Sequence, residues 1–171
     1  MPPGIHILGM SLHTFTVFHV GLSLIGILSG LVVLLGMFAS EQLYAVTGLF
    51  LATTVLTSLT GFLYPFKGVT PGIVIGILSM VLLLAAILAR YAFHYAGPWR
   101  WVYVVSSVIA LWFNVFIFIV QSFEKVPWLH ALAPTQSEPP FKIAQIVVLL
   151  AFIVLCVRAV RKFHPTLDPV V

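Results

Sequence analysis

Formal charge is confined to a few short breaks in an otherwise uncharged chain. The first Asp, Glu, Lys or Arg is Glu41, followed by Lys67, Arg90 and Arg100, and none occurs between Arg100 and Glu124. A charged side chain at the centre of a bilayer costs roughly 2.5–3.5 kcal/mol on insertion scales, and a helix needs about 20 apolar residues to cross. Charge-free runs of this length, divided by short polar links, dictate transmembrane helices. The 171 residues hold eight Lys or Arg and four Asp or Glu, and 61% are hydrophobic. A soluble domain would carry charge on about a quarter of its residues, so the surface of this chain must face lipid.

The runs predict an all-α fold: a polytopic transmembrane helical bundle with no soluble domain, forming a single domain over residues 1–171. About five spans are expected, at residues 14–39, 43–66, 71–92, 100–123 and 140–160, with a longer outer loop at 124–139. The breaks carry turn chemistry, including Gly68, Pro71 and Gly72 after Lys67, and the pair Gly97-Pro98. Tyr91, Tyr95, Trp99, Trp101 and Tyr103 cluster around one break, as in an interfacial aromatic belt. The fifth run is the shortest, since only residues 143–157 are free of charge. Lys142, Arg158, Arg161 and Lys162 can extend toward opposite interfaces, which favours a full span over a re-entrant segment. The first residues lack the basic stretch of a secretory signal, so the first run is expected to be a retained helix.

Alternating the sides of five spans places Arg90, Arg100, Arg158, Arg161 and Lys162 on one face, with Lys67, Lys125 and Lys142 on the other. Basic residues concentrate on the cytoplasmic side, so the N-terminus is expected outside and the C-terminus in the cytoplasm. The net charge of +4 is scattered and forms no nucleic-acid-binding patch. Cys156 is the sole cysteine and can form no disulfide within the chain.

Gly26 and Gly30 in the first span, and Gly72 and Gly76 in the third, form GxxxG patterns, which let helix backbones approach closely in lipid. Contact within one chain is favoured over contact between copies. The word Ile25-Gly26-Ile27-Leu28-Ser29 recurs at Ile75-Gly76-Ile77-Leu78-Ser79, but the second and fourth spans do not match at that offset, so a duplicated hairpin has little support.

His19 lies inside the first span, and an intramembrane ionisable residue is by default a candidate functional residue. The plainer expectation is a neutral imidazole bonded to a Ser or Thr of a neighbouring helix. The second span carries Thr47, Thr53, Thr54, Thr57, Ser58 and Thr60, hydroxyls that readily bond back to their own helix carbonyls. Ser107, Asn114 and Gln121 recur every seven residues and share one helix face. In the expected topology His13, His19, Thr57, Ser58, Thr60, Asn114 and Gln121 lie in the outer half or near the midplane. They define a candidate polar pocket open to the outside, with His130 in a loop that could cover it. The prolines of that loop favour extended backbone.

Haem ligation needs two imidazoles at one depth. His19 and His94 belong to opposite ends, which leaves only His13 or His19 with His130, so no cofactor is expected. No Walker A, HExxH, GxSxG or CxxCH pattern occurs and no paired carboxylates lie within a span, which argues against familiar enzyme chemistry.

The runs Leu12-His13-Thr14-Phe15-Thr16-Val17-Phe18-His19-Val20, Ala89-Arg90-Tyr91 and Leu132-Ala133-Pro134-Thr135-Gln136-Ser137-Glu138-Pro139-Pro140-Phe141 resemble a group of small uncharacterised proteobacterial inner-membrane proteins. The resemblance covers most of the chain and implies a bacterial cytoplasmic membrane, with no activity attached. Three functions fit the sequence, in this order: a non-catalytic accessory or assembly subunit of a larger membrane complex, a small transporter or channel using the outer polar pocket, and a haem- or quinone-linked redox protein. The expected partners are the bilayer and other membrane subunits or further copies of the chain.

Overall fold

The computed structural model describes residues 6–65, 68 and 70–165. Lys67, one of the basic residues assigned to the outer face, and Phe66, the predicted end of the second span, lie outside the described residues. Among the described residues five helices are long and apolar enough to cross a membrane, so the chain is a multi-pass membrane protein of the all-α class.

A two-residue turn at Leu8 and Gly9, both with positive φ, pairs β1 (His6–Ile7) with β2 (Met10–Ser11) before the first helix. Helix α1 (Leu12–Ala39) starts where the Ser11 hydroxyl accepts from the Thr14 N–H at 3.2 Å, satisfying one of the free donors of the first turn. It ends at Ser40, whose left-handed conformation lets the Glu41 N–H reach the Gly36 carbonyl at 2.9 Å.

Helix α2 (Tyr44–Gly61) is shorter than predicted. Its last turn tightens, with Leu63 N–H donating to Thr60 O at 3.1 Å. Tyr64 then folds back on α1: its ring packs edge-on against Phe15 and His19, and its hydroxyl donates to Thr16 Oγ1 at 3.2 Å. At 18 residues, α2 rises about 27 Å. It therefore stops short of the full hydrocarbon thickness on the side where α1 begins.

Helix α3 (Pro71–Ile87) is capped by Thr70 and has Pro71 in its first turn, where a missing N–H costs nothing. It runs on through a π-helical turn, Leu88–Ala92. Left-handed residues His94, Tyr95 and Gly97 then reverse the chain into α4 (Trp99–Lys125). The loop expected to be extended instead contains a short helix, α5 (Pro127–Leu132), because Pro127 sits at the helix start, where proline is favoured. Helix α6 (Pro139–Lys162) is continuous over 24 residues, which gives about 36 Å, long enough for a complete crossing. Counting charge-free residues understated it because Lys142 and Arg158 lie within the helix and are exposed.

Helices α1 to α4 form the bundle: α1 packs on α2 and α4, and α3 packs on the other sides of α2 and α4. Helix α6 lies outside against α4 and α1. It presents Ile143, Ile146, Val147, Leu150, Ile153 and Val154 outward, as a lipid-facing helix must. Its end is fastened by Arg100, whose guanidinium donates to the carbonyls of Val160 at 2.8 Å and Phe163 at 2.6 Å, two acceptors left over at a helix C-terminus.

The first GxxxG pair is an intramolecular contact. A Cβ on Gly30 would meet Leu111 Cδ1 at 2.6 Å and the Phe50 ring at 2.8 Å, while one on Gly26 would meet Thr54 Oγ1 at 3.2 Å. The second pair serves a different purpose, since Gly76 accommodates the Phe62 ring and Gly72 has only Thr70 Oγ1 nearby, at 3.7 Å. The two copies of the repeated word thus have unlike surroundings.

Candidate functional site: a polar cavity at one end of the bundle

Between α1 and α3, at the end where α1 begins, the bundle encloses a cavity of about 510 Å³. Two local causes create it. The early stop of α2 removes a turn of helix from this end, and Gly61, Gly72, Gly76 and Ser79 turn little side-chain volume toward the space. Deeper in the membrane the bundle closes, because Gly30 allows Leu111 and Phe50 to meet α1 directly.

His19, Thr57, Ser58, Asn114 and Gln121, from three different helices, all line this cavity. Thr60 stands behind His19, its Oγ1 at 2.8 Å from Nδ1 of the ring. Asn114 reaches across the floor to Thr54 Oγ1 at 3.4 Å. The remaining candidates do not join them: His13 on α1 and His130 on α5 are exposed and line no part of the space. Ser107 lies below the floor, buried, with no partner for its hydroxyl among the described residues.

The loop expected to cover the pocket does not do so. No residue of 124–139 lines the cavity. Gln136 instead ties this loop to the Val120 carbonyl at 3.0 Å, and Glu138 accepts from the Thr135 hydroxyl at 2.8 Å and the Ser137 N–H at 3.0 Å. Tyr64, Pro65, Gly68 and Thr70, from the α2–α3 connection, stand at the mouth. Helical spacing could have added Ser23, four residues beyond His19, to the candidates. Ser79 is also a lining residue and ends the repeated word.

The hydroxyls of α2 bond their own helix. Thr53 donates to Leu49 O at 2.7 Å, Thr57 to Thr53 O at 2.8 Å, Ser58 to Thr54 O at 3.1 Å and Thr60 to Leu56 O at 2.7 Å. This satisfies each proton locally and, at Thr57 and Ser58, leaves oxygen lone pairs free to face a ligand. None of the described residues lining the cavity carries a formal charge, and Phe62, Phe113 and Ile117 supply apolar wall. Among the described residues no three His, Cys, Asp or Glu side chains converge on a possible metal position.

A second cluster occupies the opposite end, and reading Arg90 as an interface-flanking charge missed it. Arg90 is 5% exposed. It sits on the π-helical turn, with its guanidinium carbon 5.1 Å from the Tyr44 ring centre, 5.4 Å from Tyr91 and 5.8 Å from Tyr95, and it donates to the Tyr95 hydroxyl. The wider turn offsets the residues that follow it, and the phenols take the place of a carboxylate partner. Tyr44 and Tyr91 are themselves more than half exposed, so the rings shield the buried cation and tie α2, the π-helical turn and the loop after it together.

Fold and site together define a five-span helical membrane protein with a neutral, polar-lined cavity opening at one end. No protein-family model, curated protein or solved structure matches the chain.

Proposed function

We propose that the protein binds a small, uncharged, partly apolar molecule in this cavity, reached from the outer face of a bacterial cytoplasmic membrane. The carrying observation is that His19, Thr57, Ser58, Asn114 and Gln121, scattered along the sequence, converge on one space of about 510 Å³, a volume in the range of small-molecule sites. The orientation rests on the excess of basic residues at the far end, and the bacterial membrane on the sequence resemblance. The lack of charge on the described walls favours a neutral ligand, because an ion at this depth would lack a countercharge. Below the Thr54–Asn114 contact the bundle closes at Gly30, Phe50 and Leu111, so the cavity has a floor and is a pocket and not a channel. Transport would require that floor to part. An accessory-subunit role would leave the cavity without a purpose, whereas ligand binding uses it.

Gly61→Phe tests the proposal. The nearest atom to a Cβ at Gly61 is His19 Cε1 at 3.7 Å, so a side chain fits at its base and its ring fills the space. Small molecules released from gently purified protein and quantified by mass spectrometry should include a species at least about tenfold depleted in the variant, with thermal stability unchanged. Identical small-molecule content in the two proteins would count against the proposal.

A further inference from the structure

We infer that the His19 corner accepts hydrogen bonds, so the ligand engages it through an uncharged O–H or N–H donor; this rests on the reading of the cavity as a ligand site. The argument follows protons. Thr60 Oγ1 lies 2.7 Å from the Leu56 carbonyl oxygen. Two oxygens this close repel unless a proton lies between them, and only the threonine has one to give. Thr60 Oγ1 also lies 2.8 Å from His19 Nδ1. The hydroxyl proton is already committed, so this contact needs a proton on Nδ1. In the neutral ring the other nitrogen, Nε2, is then bare.

Nε2 has no partner among the described residues, and His19 forms part of the cavity wall. Three lining neighbours have the same polarity, whereas Ser23, one turn along α1, keeps a hydroxyl proton to give. Thr57 and Ser58 also line the cavity, and each has committed its only proton to a carbonyl of its own helix. Tyr64 has given its proton to Thr16, whose own proton goes to the Leu12 carbonyl at 2.8 Å. Four side chains from α1, α2 and the turn after α2 thus present lone pairs and no protons. The described walls lack a carboxylate to balance a cation, so the complementary group is an uncharged donor, the O–H of an alcohol or phenol or the N–H of an amide, on a partly apolar frame. Asn114 and Gln121, on the opposite wall, carry amide donors for an acceptor elsewhere on the same molecule.

Two measurements test this. In protein labelled with ¹⁵N-histidine, the His19 signal, assigned by its loss in His19→Gln, should report a protonated Nδ1 and a bare Nε2. The opposite tautomer would overturn the inference. Binding of 4-ethylphenol and of its methyl ether, 4-ethylanisole, should differ by about tenfold in favour of the phenol, because the ether has no proton for the corner. Thr60→Val keeps the shape but removes the acceptor that fixes the ring, and should bring the two affinities together in a protein of unchanged fold. Equal binding of the two probes to the unsubstituted protein would overturn the donor assignment and leave the pocket standing. Binding of neither would overturn both, and an undiminished preference in Thr60→Val would remove Thr60 from its positioning role.

Discussion

Gly30→Leu should lower the stability of the bundle by about 2–3 kcal/mol, the upper range for overpacking a filled core. The glycine is the tighter of two points, with Gly26, at which α1 touches α2 and α4 together. A Cβ there would lie 2.6 Å from Leu111 Cδ1 and 2.8 Å from Phe50 Cε2, and both of those side chains are almost fully buried. Neither can swing away without displacing a further layer, and no hydrophobic effect between helices in lipid offsets a lost contact. Gly48→Leu is the matched control. No atom lies within 4 Å of its added Cβ, and leucine is the better helix former by about 0.8 kcal/mol. Thermal unfolding in one detergent should therefore separate the two variants, with Gly30→Leu well below the parent protein and Gly48→Leu at or slightly above it.

The second large effect should come from the opposite end. Tyr95→Phe removes the hydroxyl that accepts from Arg90 and leaves a buried guanidinium short of a partner. Hydrogen bonds to charged groups contribute about 1.5–3 kcal/mol, so a loss of about 2 kcal/mol is expected. Arg90→Met should cost less than this despite deleting the charge, because exchanging a buried ion for an apolar chain of similar length also removes the cost of desolvation. Burial pushes the Tyr95 phenol above the ordinary tyrosine range, which keeps it a neutral partner at physiological pH. Chemical denaturation of the two variants gives the order directly. Arg90→Met falling far below Tyr95→Phe would mean that the cation itself, through its aromatic contacts, carries the stability of this end.

The spans were legible because charge in lipid is so costly that Glu41, Lys67 and the Arg90 to Arg100 break mark the ends almost unaided. Their lengths were less so. The end of α2 at Gly61 depends on Tyr64 reaching back to Phe15, His19 and Thr16, a tertiary event with no local signal. The pocket members Thr57, Ser58, Asn114 and Gln121 could be named because polar residues are rare enough in membrane helices to stand out. Their shared space could not, since it depends on that early helix end and on the small side chains of α3. The loop at 124–139 misled because proline stiffens extended backbone and also starts helices, and only packing against α4 selects between the two. Arg90 misled for a related reason: its burial follows from a π-helical turn and three tyrosine rings, which no charge count reveals.

The most direct test of an outward-facing cavity is labelling with a small membrane-impermeant thiol reagent in right-side-out membrane vesicles, using protein whose only native cysteine is removed by Cys156→Ser. Gln121→Cys and Ser58→Cys place thiols on an exposed and a buried part of the cavity wall, and Ala96→Cys places one in the exposed turn at the opposite end. Both cavity thiols should react from outside, Ser58→Cys should be protected when Gly61→Phe is added, and Ala96→Cys should react only after the vesicles are opened. Reaction of Ala96→Cys from outside while both cavity thiols stay silent would contradict the account, because the cavity would then face the cytoplasm or be closed to water.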